Sequence, residues 1–185
     1  MKKFELTTNT KMFLGKKLFQ IKALISFGDV KAGELGGYIE KEENLSQTGD
    51  AWVFDNARVT DNAWVTDNAW VSGDAWVSGN ARVTDNAWVS DNARVSDNAR
   101  VSGDAWVSDN ACYTTIKGFG REYRTTTFFR CKDGKVRVQC GCFYGDLKEF
   151  RAIVKKTHGK SKKAKEYLMI ADLMELHFEE KKNDK

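Results

Sequence analysis

Residues 49–112 repeat with a period of six, and that period excludes most folds before any other property is considered. Ala recurs at 51, 57, 63, 69, 75, 81, 87, 93, 99, 105 and 111, and Val recurs two places later from Val53 to Val107. The unit reads Ala-(Trp/Arg)-Val-(Ser/Thr)-(Asp/Gly)-(Asn/Asp). In a strand, Ala and Val two apart share a face. The Asp-Asn or Gly-Asp pair that follows is turn chemistry, because Asn, Asp and Gly tolerate positive φ and Asx side chains bond the local backbone. So short a strand with so frequent a turn makes neither a hairpin sheet nor a helix. It fits a solenoid in which the chain winds around a three-sided prism, three units per turn.

Under that winding, residues 18 apart lie on one face of adjacent coils, about 4.8 Å apart. The toggled position then sorts by face. Trp52, Trp70, Trp88 and Trp106 share the first, Arg58, Trp76, Arg94 and Cys112 the second, and Trp64, Arg82 and Arg100 the third. Ala and Val fill a prism too narrow for Trp, so the toggled side chain is expected to point outward. Four stacked indoles form an apolar strip, and soluble monomers rarely leave such patches bare. Its cover is expected to be the C-terminal helices, further copies of the chain in a trimer or dimer, or a foreign protein or ligand. The arginines are expected either to be solvated and paired with corner aspartates such as Asp67 and Asp85, or to act with Trp64 and Trp76 as a strip for carboxylate, phosphate or nucleotide.

Read from Val, the unit V-S/T-D/G-N/D-A-x resembles the hexapeptide repeat of left-handed parallel β-helix proteins. The resemblance covers residues 51–112, and departs from the pattern in the Ser or Thr directly after the aliphatic residue. It implies a mainly β fold, a left-handed parallel β-helix with three units per coil, and frequent homo-oligomers. Function is open under it, since such folds serve acyltransferases, carbonic anhydrases and inert spacers. The flanks LGGYIEKEENLSQ and CGCFYGDLKEF resemble those of phage- and prophage-borne repeat proteins. That likeness opens host modulation or anti-defence, with a host protein as partner, as a role. A place in the bacterial cytoplasm is expected separately, since the chain shows no signal peptide, no apolar span and no disulfide framework.

Outside the repeat, residues 1–48 are expected to form a β cap with imperfect rungs. KKFELT and KKLFQIKALISF read as strands around a Leu14-Gly15-Lys16 turn, and Ile39 and Leu45, six apart, as rungs. Such a cap protects open edges and core side chains at a solenoid end. Residues 113–185 read as a small α+β domain: strands in YTTI, REYRTTTFFRC and KVRVQCGCF, then two helices. Asp146 and Glu149 form a capping box for the first helix, which Gly159 closes. Ala164, Tyr167, Leu168, Ala171, Met174 and Phe178 form one apolar side of the second. No proline interrupts the chain, which suits backbone N–H groups committed to ladders.

Charge is divided along the chain. Residues 49–111 carry 4 Arg against 10 Asp, whereas residues 112–185 carry 18 basic and 10 acidic residues. An acidic middle beside a basic end argues against extended nucleic-acid binding. MKKFELTTNT lacks the apolar stretch of a signal peptide, and no apolar run approaches a membrane span. Both histidines, His158 and His177, fall in the C-terminal segment. A three-His zinc site is therefore excluded within one chain, and no coil histidine can serve as the base of acyl transfer, leaving a degenerate acyltransferase as a minor alternative. Cys131, Cys140 and Cys142 are weak metal candidates, since C-x-C lacks the usual ligand spacing. No catalytic residue and no cofactor is expected. The chain reads as a non-enzymatic binding and assembly protein with a nucleotide- or anion-binding alternative.

Overall fold

The computed structural model describes residues 2–120 and 122–179. It is mainly β, a β-solenoid of about four turns followed by two helices. The period-six segment forms ten two-residue strands: β4 (Trp52–Val53), β5 (Arg58–Val59), β6 (Trp64–Val65), β7 (Trp70–Val71), β8 (Trp76–Val77), β9 (Arg82–Val83), β10 (Trp88–Val89), β11 (Arg94–Val95), β12 (Arg100–Val101) and β13 (Trp106–Val107). Each pairs in parallel with the strand eighteen residues away, as in Trp52↔Trp70 and Val53↔Val71. Three ladders result: β4-β7-β10-β13, β5-β8-β11 and β6-β9-β12. Val53 to Val107 and Ala51 to Ala105 are all buried and form one continuous core.

The corners explain the Asp/Gly alternation. Asp55, Asp61, Asp67, Asp85, Asp91 and Asp97 have positive φ, as do Gly49, Gly73, Gly79 and Gly103 at the same place in the unit. Asp is among the few side chains that enter this region without large cost. Its carboxylate then accepts from the backbone of the next coil, as from Gly73 N to Asp55 Oδ2 at 3.1 Å and Gly103 N to Asp85 Oδ2 at 3.1 Å. At Gly73 a Cβ would lie 2.9 Å from the Asp91 nitrogen, so that corner needs glycine for space as well.

At the N-terminus β1 (Phe4–Phe13) and β2 (Lys16–Ala23) form an antiparallel hairpin around Leu14 and Gly15, both at positive φ. β3 (Leu35–Ile39) pairs antiparallel with β2 and parallel with β5, which extends one solenoid wall to the order β1-β2-β3-β5-β8-β11. Ile39 pairs with Val59 and Leu45 with Val65. These steps of twenty residues, two more than the regular eighteen, absorb the insertion before Val53. Gly36 and Gly37 are needed because a Cβ would lie 2.5 Å from Val53 O or 2.8 Å from Ala57 O.

Beyond the repeat, β14 (Tyr113–Phe119), β15 (Arg124–Arg130), β16 (Val136–Cys140) and β17 (Phe143–Asp146) make an antiparallel meander. The expected single strand KVRVQCGCF is instead two, because Gly141 takes φ +62° and turns the chain. Alternation in β15 divides the two cores. Phe129 packs on the solenoid core, whereas Phe128 faces α1 (Leu147–His158) and α2 (Lys162–Phe178). The sheet is tied to the last coils by Arg100 N–Thr127 Oγ1 at 3.0 Å, Lys132 N–Asp104 O at 3.2 Å and Arg130 N–Cys112 O at 2.9 Å. α1 starts with the Asp146/Glu149 capping box, both bonds at 2.8 Å. Among the described residues no helix is long and apolar enough to cross a membrane.

Candidate functional site

The Trp52–Trp70–Trp88–Trp106 ladder has a graded environment. Trp52 is 0% exposed, with Phe4 and Phe27 set edge-on to it at 6.2 and 5.4 Å. It is thus no part of an accessible strip, and its cover is the N-terminal flank. This corrects the expectation that the four indoles form one strip covered by the C-terminal helices, further copies or a foreign partner. Trp70 meets Phe54 edge-on at 5.3 Å and Trp88 at 6.3 Å, and both are half-buried. Trp106 is 44% exposed and stacks on Trp88 at 6.0 Å with an interplanar angle of 13°. A groove of about 190 Å³ runs along this face, lined in part by Trp70, Trp88 and Lys132.

Ser or Thr after Val gives two of the indoles a polar anchor. Trp76 Nε1 donates to Thr60 Oγ1 and Trp88 Nε1 to Ser72 Oγ, each at 3.0 Å and each sixteen residues back. For Trp52 the residue sixteen back is Gly36, which has no hydroxyl, and its Nε1 has no partner among the described residues. The indole ring of Trp70 packs on Phe54 at the corresponding place.

The arginines do not pair with corner carboxylates, which corrects that expectation. Those carboxylates are turned to backbone N–H groups and to the preceding hydroxyl, as in Thr84 Oγ1 to Asp85 Oδ2 at 3.0 Å. Arg58 donates to the backbone carbonyl of Asp74 at 2.6 Å and lies over the Phe13 ring at 4.5 Å. Arg82 lies over Trp64 at 5.7 Å, and Trp64 is itself 38% exposed. Among the described residues Arg82, Arg94 and Arg100 make no ion pair. Trp76 is turned to Phe13, edge-on at 5.1 Å, so it does not join Trp64 as a second stacking platform.

The cysteines diverge. Cys131 is buried against the solenoid core, Cys140 faces the helical core and accepts from Thr126 Oγ1 at 3.2 Å, and Cys142 is exposed. Burial pushes the Cys131 thiol up to about 11. Among the described residues no three His, Cys, Asp or Glu side chains converge on a possible metal position. His158 stacks on Tyr167 at 5.9 Å and His177 meets Phe178 edge-on at 4.9 Å. α2 also exposes Met169, Leu173 and Leu176. This second apolar stripe, beside the expected one from Ala164 to Phe178, is legible in its own i, i+4, i+7 spacing.

The family of the YdcK beta solenoid repeat matches residues 75–91 and 93–109. The matched segments lie within the coils and reach neither flank, so what they share with this chain is a class, that of repeat β-solenoids. No curated protein matches the chain.

Proposed function

We propose that this chain is a non-enzymatic binding and assembly protein whose rigid coil presents the Trp70–Trp88–Trp106 strip to a second copy of itself. The observation that carries the reading is the Trp88–Trp106 stack, which leaves Trp106 44% exposed beside a groove at the end of the ladder. A strip repeating at a fixed pitch is complementary to an identical strip, the condition for a closed symmetric interface. In this reading the coil is left-handed, with three six-residue units per turn as in the hexapeptide-repeat superfamily. The eighteen-residue pairing register supports the three units, and the resemblance of the repeat supports the hand. The likeness of the flanks to phage-borne proteins supports a phage-encoded product acting in a bacterial host cytoplasm, in host modulation or anti-defence.

Light scattering behind a sizing column, across a concentration series, tests the assembly. The expected mass is two or three times that of the chain, and the double variant Trp88→Ser/Trp106→Ser is expected to run as a monomer with its β-signal intact. A native chain that stays monomeric at every concentration would sink the self-association reading.

A further inference from the structure

A cationic concavity lies on another face, where the Trp64–Arg82–Arg100 ladder meets the C-terminal sheet. Asn98 and Arg100 of the coil, Lys117 of β14, Tyr123 of the β14–β15 loop and Arg124 of β15 line a cleft of about 660 Å³, and the Gly141–Cys142 turn closes it. Its size falls in the range of small-molecule sites. Arg100, Lys117 and Arg124 are exposed cations, and among the described residues none has an acidic partner. Three like charges brought into one cleft repel, and a bound polyanion would relieve that repulsion.

Two further features mark the cleft as more than a chance gathering of charge. The first is the open end of an amide ladder. Asn62 Nδ2 donates to Asn80 Oδ1 at 3.3 Å and Asn80 Nδ2 to Asn98 Oδ1 at 3.2 Å. Asn98 is the last in the series, so its own Nδ2 has no acceptor among the described residues and stands as a donor in the cleft wall. The second is Tyr123, 69% exposed and at φ +50°, a backbone region bulky residues seldom adopt. At the start of that loop Tyr167 Oη donates to Phe119 O at 3.3 Å, and Gly120 leaves that hydroxyl the space a Cβ would take.

We infer that this cleft binds a nucleoside polyphosphate. The phosphates sit among the guanidiniums of Arg100 and Arg124 and the Lys117 ammonium, the Asn98 amide donates to the ligand, and the base stacks on the Tyr123 ring. Guanidiniums suit phosphate through paired N–H donors, and an exposed aromatic ring beside them supplies base stacking. This site is separate from the Trp strip and does not depend on the oligomeric state.

Calorimetry with ATP, tripolyphosphate and adenosine, at low and high salt, tests it. ATP is expected to bind, more weakly as salt rises, and more tightly than tripolyphosphate, with adenosine weakest. Arg100→Gln/Arg124→Gln should weaken ATP roughly tenfold or more. Tyr123→Ser should weaken ATP about fivefold or more and leave tripolyphosphate unchanged. All three residues are exposed, so circular dichroism of the variants should match the native chain. Absence of ATP binding, or ATP binding that ignores the arginine pair, would overturn the inference. So would tripolyphosphate binding as tightly as ATP with Tyr123→Ser silent, since that describes a bare anion site.

Discussion

Trp52 and Trp106 stand at opposite ends of one ladder, in the same place of the same unit and in the same parallel register, yet one is 0% and the other 44% exposed. The repeat treats them identically, so the difference comes from the flanks. The N-terminal flank lays Phe4 and Phe27 against the side of the coil, over Trp52. The C-terminal sheet packs Phe129 and Cys131 on the core at the other end and carries its helices on its far face. A period thus decides which residues point inward. It does not decide which outward residues become surface.

The largest test of this contrast is truncation of Trp52. Trp52→Ala should cost ~3–5 kcal/mol, as for a large buried aromatic, read as a lowered midpoint in denaturant. Equal costs for Trp52→Ala and Trp106→Ala would break the comparison outright.

A pH series probes the same buried end from its polar side. Lys3 is 2% exposed and donates from Nζ to Gly49 O at 3.2 Å and Ala51 O at 2.9 Å, fixing the entry to the coil. Burial lowers its pKa to about 8, with Asp50 opposing the shift. The folded chain therefore holds fewer protons than the unfolded chain between about pH 8 and 10.5, and stability from this group rises with pH across that window. Native minus Lys3→Met unfolding free energy should climb by at most ~3 kcal/mol over it. A flat or falling difference would remove Lys3 from the account.

What the sequence discloses follows the range of the forces involved. The buried Val and Ala positions are legible because the period states them, and the Asp146/Glu149 capping box because both partners are three residues apart. The β16–β17 turn was not, since Cys140-Gly141-Cys142 looks like strand until Gly141 takes a positive φ. Burial of Trp52 was not legible either, because Phe4 and Phe27 lie 48 and 25 residues away with no pattern linking them. The cationic cleft joins Arg100, Lys117 and Arg124 only through the docking of the sheet on the coil. Of these, Arg100 was singled out by its place in the repeat, and the other two carry no such mark.

The corners stack on one another along the coil, so a corner variant measures what that stacking contributes. Gly73→Ala meets the Asp91 backbone at 2.9 Å and keeps a positive φ, and should cost ~1–3 kcal/mol. Gly134→Ala, in the β15–β16 turn, has the same sign of φ but open space around it, so it should cost less. Comparable losses at the two sites would mean that stacking of one corner on the next contributes little.

The smallest effect on stability is expected where the effect on assembly is greatest. Trp106 stacks on Trp88 and remains 44% exposed, so Trp106→Ser should change the unfolding free energy by about 1 kcal/mol or less. It should nonetheless shift the mass distribution toward monomer in dilution, because the lost ring lies at the uncovered end of the strip. Trp52→Ser serves as the inverse case, lowering stability through a ring that no second copy can reach. If Trp106→Ser lowers stability and assembly in proportion, its ring belongs to the fold, and the uncovered end of the ladder is not an interface.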